Sequence, residues 1–257
     1  MKIAIIQFAP TFGDLYATIE SLKPLLEKVK DADLVILPEL ANSGYNFESM
    51  EQAVELSESV EESTFLQFLE YACHAFKFTV ATGFSERDGE DLYNSAIMIG
   101  ENGVIGKYRK LHLFMNEKKF FEPGNLGLPL FELAGVKIGM LVCFDWMFPE
   151  VWRKLALKGA DLIVHPSNLV LPYAQSVIPS YALVNRMYIA TANRIGTERE
   201  LSFTGQSLIV NPKGETLARA EQSEEILIVD IDPEEAKNKK ITSMNDAFQD
   251  RRTDIYD

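Results

Sequence analysis

Two stretches of the chain, "ADLVILPE" at residues 32–39 and "ADLIVHPS" at residues 160–167, are nearly the same octapeptide. Each is an aliphatic run closed by a proline and then a polar residue. That is the pattern of a buried strand ended by a residue that cannot donate to the ladder. The likeness extends outward. "KIAIIQF" (2–8) has its counterpart in "KIGMLVC" (137–143). "FTVATGF…NSAIMIGENGVIGK" (78–107) has its counterpart in "MYIATANR…GQSLIVNPKGETLA" (187–218). Any one match is ordinary among buried strands. Three matches in the same order imply two similar α-β halves related by a pseudo-twofold. Strands that are apolar throughout are covered on both faces. Two such halves bury best as two mixed sheets packed face to face with helices outside. The expected fold is therefore α/β, a four-layer α-β-β-α sandwich formed as a single domain over residues 1–257. The tail from about residue 245 is polar and charged and is expected to be extended.

Between the strands, apolar residues recur at helical spacing. Helices are predicted over about 15–30, 62–76, 149–158 and 176–187. Strands are predicted at 78–84, 94–100 and 104–110, with the turn Glu101-Asn102-Gly103 between the last two. "FELAGVKIGMLVCF" (131–144) reads as a hairpin turning at Ala134-Gly135, and 205–219 and 225–232 as further strands.

The chain has 257 residues and a formal net charge of −13. Such an acidic balance argues against nucleic acid or an anionic membrane as partner. The N-terminal apolar run is too short for a signal peptide and lacks a cleavage site. No segment reaches the ~20 apolar residues of a membrane span. Two cysteines, Cys73 and Cys143, are too few for a disulfide framework, and a cytoplasmic location is expected. Three scattered histidines, His74, His112 and His165, provide no metal-ligand spacing, so no metal site is predicted.

Ligands of open α/β sheets bind beyond the C-terminal ends of strands. Three reactive residues stand at such ends: Glu39 after "LVILP", Lys110 after "GVIGKYR", and Cys143 after "KIGMLV". Singly, they read as a loop carboxylate, a solvated lysine and a packed thiol. Strand alternation puts Tyr108 and Lys110 on one face and Arg109 on the other, without saying which face is the site. Together the three form a complete set. A carboxylate can take a thiol proton, as histidine does elsewhere. An ammonium, with a backbone N–H after the cysteine, can hold a developing oxyanion, and it favours the thiolate.

The blocks "LPEL" with Glu39, "YRKLHLF" with Lys110 and "CFDWMFPE" with Cys143 resemble, in order and separation, the signature blocks of the nitrilase superfamily of carbon–nitrogen hydrolases. The resemblance runs to about residue 232. It implies the sandwich fold, a Glu-Lys-Cys triad of Glu39, Lys110 and Cys143, and a second glutamate matched by Glu117, which binds the substrate or orients the lysine. It implies a cysteine thioester that releases ammonia and a carboxylic acid, with no cofactor. It also implies a homodimer built on the helices near residues 149 and 176 and on the tail.

Family members that act on carbamoyl amino acids carry an arginine in the loop after the "HPSN"-like strand. Here 168–173 reads "NLVLPY" and has none. Arg186 and Arg194 are expected on helix or sheet surfaces. Phe144, Asn168 and Tyr173 are the substrate-binding candidates, and the substrate expected is a small nitrile or amide. "CFDWMFPE" resembles small aliphatic nitrilases more than the "CYD" or "CWE" forms of some amidases. The alternatives are a small-molecule amidase of omega-amidase or carbamoyl type, an N-acyltransferase that passes the thioester to an amine, or an inactive binding scaffold.

Overall fold

The computed structural model describes residues 1–256. The first half runs β1 (Lys2–Gln7), α1 (Leu15–Lys28), β2 (Leu34–Ile36), α2 (Met50–Leu56), α3 (Thr64–Phe76), β3 (Thr79–Asp88), β4 (Asp91–Gly100) and β5 (Gly103–Arg109). The second half runs β6 (Leu130–Leu133), β7 (Val136–Met140), α4 (Pro149–Leu157), β8 (Leu162–Ser167), α5 (Ala174–Asn185) and β9 (Tyr188–Asn193). It continues through β10 (Thr197–Glu198), β11 (Leu201–Ser202), β12 (Leu208–Val210), β13 (Thr216–Arg219), β14 (Glu225–Asp230), α6 (Glu234–Lys237) and α7 (Thr253–Tyr256).

Two six-stranded mixed sheets result, in the orders β14-β1-β2-β3-β4-β5 and β13-β12-β9-β8-β7-β6. Read from opposite ends they are the same sheet: β1, β2, β3, β4 and β5 correspond to β7, β8, β9, β12 and β13. In each, the first three are mutually parallel and the last two antiparallel. The edge strand before β7 is β6, its hairpin partner. The equivalent edge strand beside β1 is β14, supplied by the far end of the chain.

Alternation along β1 shows the layering. Ile3 and Ile5 join a core shared with β8, β9, α4 and α5, whereas Ala4 and Ile6 pack on α1 and α3. This is the α-β-β-α sandwich expected. The β6–β7 hairpin turns through Ala134 (φ 50°) and Gly135 (φ 81°), the left-handed pair that a two-residue hairpin loop demands.

Two features depart from the sequence reading. Residues 50–56 form α2, capped by Ser49 on the Gln52 N–H; its seven residues are too short to show a periodicity. The tail is not extended. Ala247 donates to the Lys239 carbonyl at 2.9 Å, and Asp250 accepts from Asn245 and Asp246. Phe248 packs on the main core beneath the cations of Arg153 and Lys239. Carboxylates that bond local backbone N–H groups, plus one aromatic anchor, fold a segment whose composition alone reads as solvated.

Gly83 of β3 lies directly beneath residue 39. A Cβ there would stand 2.2 Å from the Glu39 Cα and 2.6 Å from the Leu40 nitrogen, both backbone atoms with nowhere to go. Gly83→Ala is expected to cost at least about 1–3 kcal/mol, read as a lower denaturant midpoint; an unchanged midpoint would contradict this packing.

His165 of β8 is buried between the layers. Its Nε2 lies 2.9 Å from the Cys143 carbonyl, which only accepts, so Nε2 carries the proton and Nδ1 accepts from Thr191 at 3.1 Å. Burial pushes its pKa down from 6.5 to about 4. The neutral ring is therefore favoured by folding: its contribution is complete above pH 6.5 and is lost as pH falls from about 6.5 to about 4. That loss is on the order of 3 kcal/mol at 1.36 kcal/mol per unit. Denaturant titrations at pH 7 and pH 4 are expected to show a smaller acid loss in His165→Gln than in the native protein.

Candidate active site

Glu39, Lys110, Glu117 and Cys143 come from four separate segments and meet at one end of the sandwich. β2 ends at Ile36, and Pro38 turns the chain so that Glu39 follows at the strand's C-terminal end. Lys110 directly follows β5, and its N–H still bonds β4 through the Asn94 carbonyl at 2.8 Å. Cys143 opens a 3-10 turn, Cys143–Met147, just beyond β7. Glu117 lies in a second such turn, Met115–Lys119. All four side chains are buried, none more than 4% exposed.

The geometry is centred on the ammonium. Lys110 Nζ donates to Glu39 Oε1 at 2.7 Å and to Glu117 Oε1 at 2.8 Å. An ammonium has three N–H groups, so one remains. Burial works against the charged lysine, but Glu117 and Glu39 outweigh it and raise its pKa. Asn94 adds a donor to Glu39 Oε1 at 2.7 Å, and Tyr45 donates to Glu117 Oε1 at 2.7 Å. Glu39 Oε2, equally buried, has no hydrogen-bond partner. Arg109 faces away and forks onto Glu86 beneath the Tyr93 ring. Alternation left the active face open; the partners of Lys110 and Arg109 decide it.

Lys110 favours the Cys143 thiolate, as the sequence reading expects, but burial and the Glu39 charge outweigh it, so the pKa stands well above the ordinary thiol value. The surroundings as a whole favour the neutral thiol. The backbone N–H of Asn168 reaches it and acts with Lys110 toward the charged form.

The backbone at Cys143 is left-handed (φ 43°), a conformation that persists only where its surroundings impose it. His165 holds its carbonyl. Asp145 holds the turn itself. Its Oδ2 accepts from the Val142 N–H at 2.9 Å and the Tyr108 hydroxyl at 2.7 Å, and its Oδ1 bonds the His112 ring at 2.7 Å. The turn that carries Cys143 is thus tied to β5, the strand that leads directly into Lys110.

Phe144, Asn168 and Tyr173 all border one cavity of about 260 Å³ together with Cys143. Asn168 also spans the two halves, since its Nδ2 donates to the Glu39 carbonyl at 3.0 Å. Tyr45, Asn94, Asp145, His165 and Glu198 are parts of the assembly that sequence reasoning did not find. Asp145 sat in view inside "CFDW"; the others carry no local signal. Arg194 and Arg186 are buried rather than superficial. Arg194 pairs with Glu198, whose other oxygen accepts from the N–H groups of Tyr45 at 2.9 Å and Asn46 at 2.8 Å. Arg186 donates to the Pro212 carbonyl at 2.9 Å. Among the described residues no group of three His, Cys, Asp or Glu side chains is arranged to hold a metal ion, and no helix is long and apolar enough to cross a membrane.

A family model described as carbon–nitrogen hydrolase matches residues 2–240. A protein named nitrilase from Pyrococcus abyssi is 45% identical over 259 residues, covering 100% of this chain and 99% of that one. A crystal structure of a carbon–nitrogen hydrolase from Helicobacter pylori G27 has a TM-score of 0.90 at 28% identity, covering 100% of this chain and 97% of the other. An amidase from Nesterenkonia sp. has a TM-score of 0.83 at 25% identity, covering 100% and 95%. With the sandwich, the three sequence blocks and these matches over essentially its whole length, the chain belongs to the carbon–nitrogen hydrolase family.

Proposed function

We propose that the protein hydrolyses a small nitrile or amide through a thioester on Cys143, with Glu39 as base, Lys110 as the charge-stabilising cation and Glu117 as the group that positions it. The observation that carries this reading is the division of labour within one carboxylate. Glu39 Oε1 is engaged by Lys110 and Asn94, while Oε2 is buried and unpartnered, and the Glu39 charge bears directly on the neutral Cys143 thiol. A buried acceptor without a donor is costly, and a thiol proton is the donor it lacks.

As Sγ attacks the substrate carbon, its proton passes to Glu39 Oε2. Negative charge grows on the amide oxygen or nitrile nitrogen. The remaining Lys110 N–H and the backbone N–H of Phe144 receive it. For an amide, Glu39 returns the proton to the nitrogen, the C–N bond breaks, and ammonia leaves behind a thioester. Water, deprotonated by Glu39, then attacks the thioester carbon. The acid departs and the thiol is restored. A nitrile first forms a thioimidate, and addition of one water brings it onto the same path. The 45% identity to a protein named nitrilase supports nitriles as the first substrates to try, and the amidase neighbour supports amides as the second.

Ammonia release from a panel of small nitriles and primary amides tests the reaction. Cys143→Ala is expected to lower the rate by about 10⁴-fold or more. Residual release near the native rate would remove Cys143 from the nucleophile's role, and silence of the native protein across the panel would sink the hydrolase reading.

Intact-mass spectrometry of the protein mixed with a slow substrate is expected to show one acyl adduct, mapping to Cys143. Cys73 is expected to stay unmodified. It is buried in α3, bonds the Ile99 carbonyl, and burial pushes its pKa up to about 12.

A further inference from the structure

The cavity beside Cys143 carries information about the acyl group it receives. Its walls come from Phe114, Phe144, Trp146, Met147 and the segment 169–173, which is aliphatic apart from Pro172 and Tyr173. The lining residues include no lysine, arginine or histidine. His112 and Lys118, close to Phe114 in sequence, border a different cavity that shares Phe144 with this one. Phe144 is held between Phe114, at 4.9 Å between ring centres, and Phe148, at 5.5 Å, so the two cavities are separated by a packed aromatic wall.

The polar groups at the reactive end point to the same conclusion. Asn168 is 2% exposed, and its Nδ2 faces the Glu39 carbonyl. A carbonyl accepts only, so this contact fixes the amide's orientation and leaves Oδ1 buried without a partner. Asn168, which borders the cavity, thus turns its amide nitrogen toward the Glu39 backbone and brings no charge to the wall. Lys110 has two of its three N–H groups committed to Glu39 and Glu117. Two carboxylates and one ammonium at the base, within a chain of net charge −13, leave nothing to neutralise a second anion.

We propose that this cavity is an acyl pocket for an uncharged hydrocarbon chain, and that it rejects nitriles and amides whose acyl chain ends in a carboxylate. The proposal rests on the hydrolase reading above and names its substrate class. The polar end of the substrate lies against Cys143 and Asn168, and the chain runs along the apolar wall toward Leu171 and Tyr173, which are 45% and 57% exposed and form the mouth. A carboxylate taken into this wall loses its hydration and gains no cation.

Two pairs of near-isosteric compounds test this, each replacing a terminal methyl by a carboxylate: butyramide against succinamate, and butyronitrile against 3-cyanopropanoate. In the native protein, kcat/KM for the neutral member of any pair that reacts is expected to exceed that of the anion by at least about a hundredfold. Leu171→Arg places a cation on the wall and is expected to raise the anion's kcat/KM by about tenfold or more. A native ratio within tenfold, or a preference for the anion, overturns the pocket assignment and leaves the hydrolase reading intact. If none of the four compounds releases ammonia, the hydrolase reading fails for these substrates. The pocket is then judged by calorimetric binding of butyramide and succinamate to Cys143→Ala. Preferential binding of butyramide upholds the assignment; equal binding, reversed binding or none overturns it.

Discussion

Lys110 is an ammonium held out of solvent by two carboxylates, and much of this structure serves that arrangement. A buried charge is tolerable only when its partners are in place, and removing one partner of such a pair typically costs about 3–5 kcal/mol. Glu39 and Glu117 must therefore arrive together, at 2.7 and 2.8 Å from the same nitrogen. The carboxylates in turn need donors, and Asn94 and Tyr45 supply them. What this network leaves unpaired is small: one Lys110 N–H, one Glu39 oxygen and the side-chain oxygens of Asn94 and Asn168. Groups held by so many neighbours have little freedom to rearrange.

Positioning is carried outward by further groups. Glu198, paired with Arg194, grips the backbone that presents Tyr45. Asp145 binds the turn that carries Cys143 to the hydroxyl of Tyr108, two residues before Lys110. Asn168 links the Glu39 carbonyl to the cysteine's side of the sandwich. Each is a side chain from one half holding backbone or side chain of the other. The site thus occupies the seam of the duplication: Glu39, Lys110 and Glu117 come from segments before β6, and Cys143 from just beyond β7.

The fold was legible because duplication repeats its own evidence. "ADLVILPE" and "ADLIVHPS" did become the equivalent strands β2 and β8 of the two sheets. Glu39, Lys110 and Cys143 could be picked out together because each stands within three residues of a strand's C-terminal end, which is where the structure gathers them. The supporting residues were not. Tyr45 and Asn46 lie in a loop with no period, and their partner Glu198 is 153 residues from Tyr45. The net direction of the thiol's pKa was not legible for a related reason. Sequence shows that a lysine is available, but only burial shows that desolvation and a facing carboxylate outweigh it. The folded tail was missed because its anchor, Phe248, is a single aromatic among charges, and its core contact is made at long range.

The placement of β14 bears on how the chain is made. β14 zips along the whole of β1 from Lys2–Asp230 to Gln7–Glu225, and the N-terminal ammonium bonds the Ile231 carbonyl 230 residues away. β1 therefore waits for a strand more than 200 residues further on to pair its outer edge. Until β14 has been made, β1 exposes an unpaired row of N–H and C=O groups along a strand of isoleucines, the kind of edge that recruits stray strands. The second half has no such interval, because β6 and β7 pair through a two-residue turn as soon as both exist. Two halves with the same architecture thus carry unequal hazards during synthesis, and the hazard falls on the half that is made first.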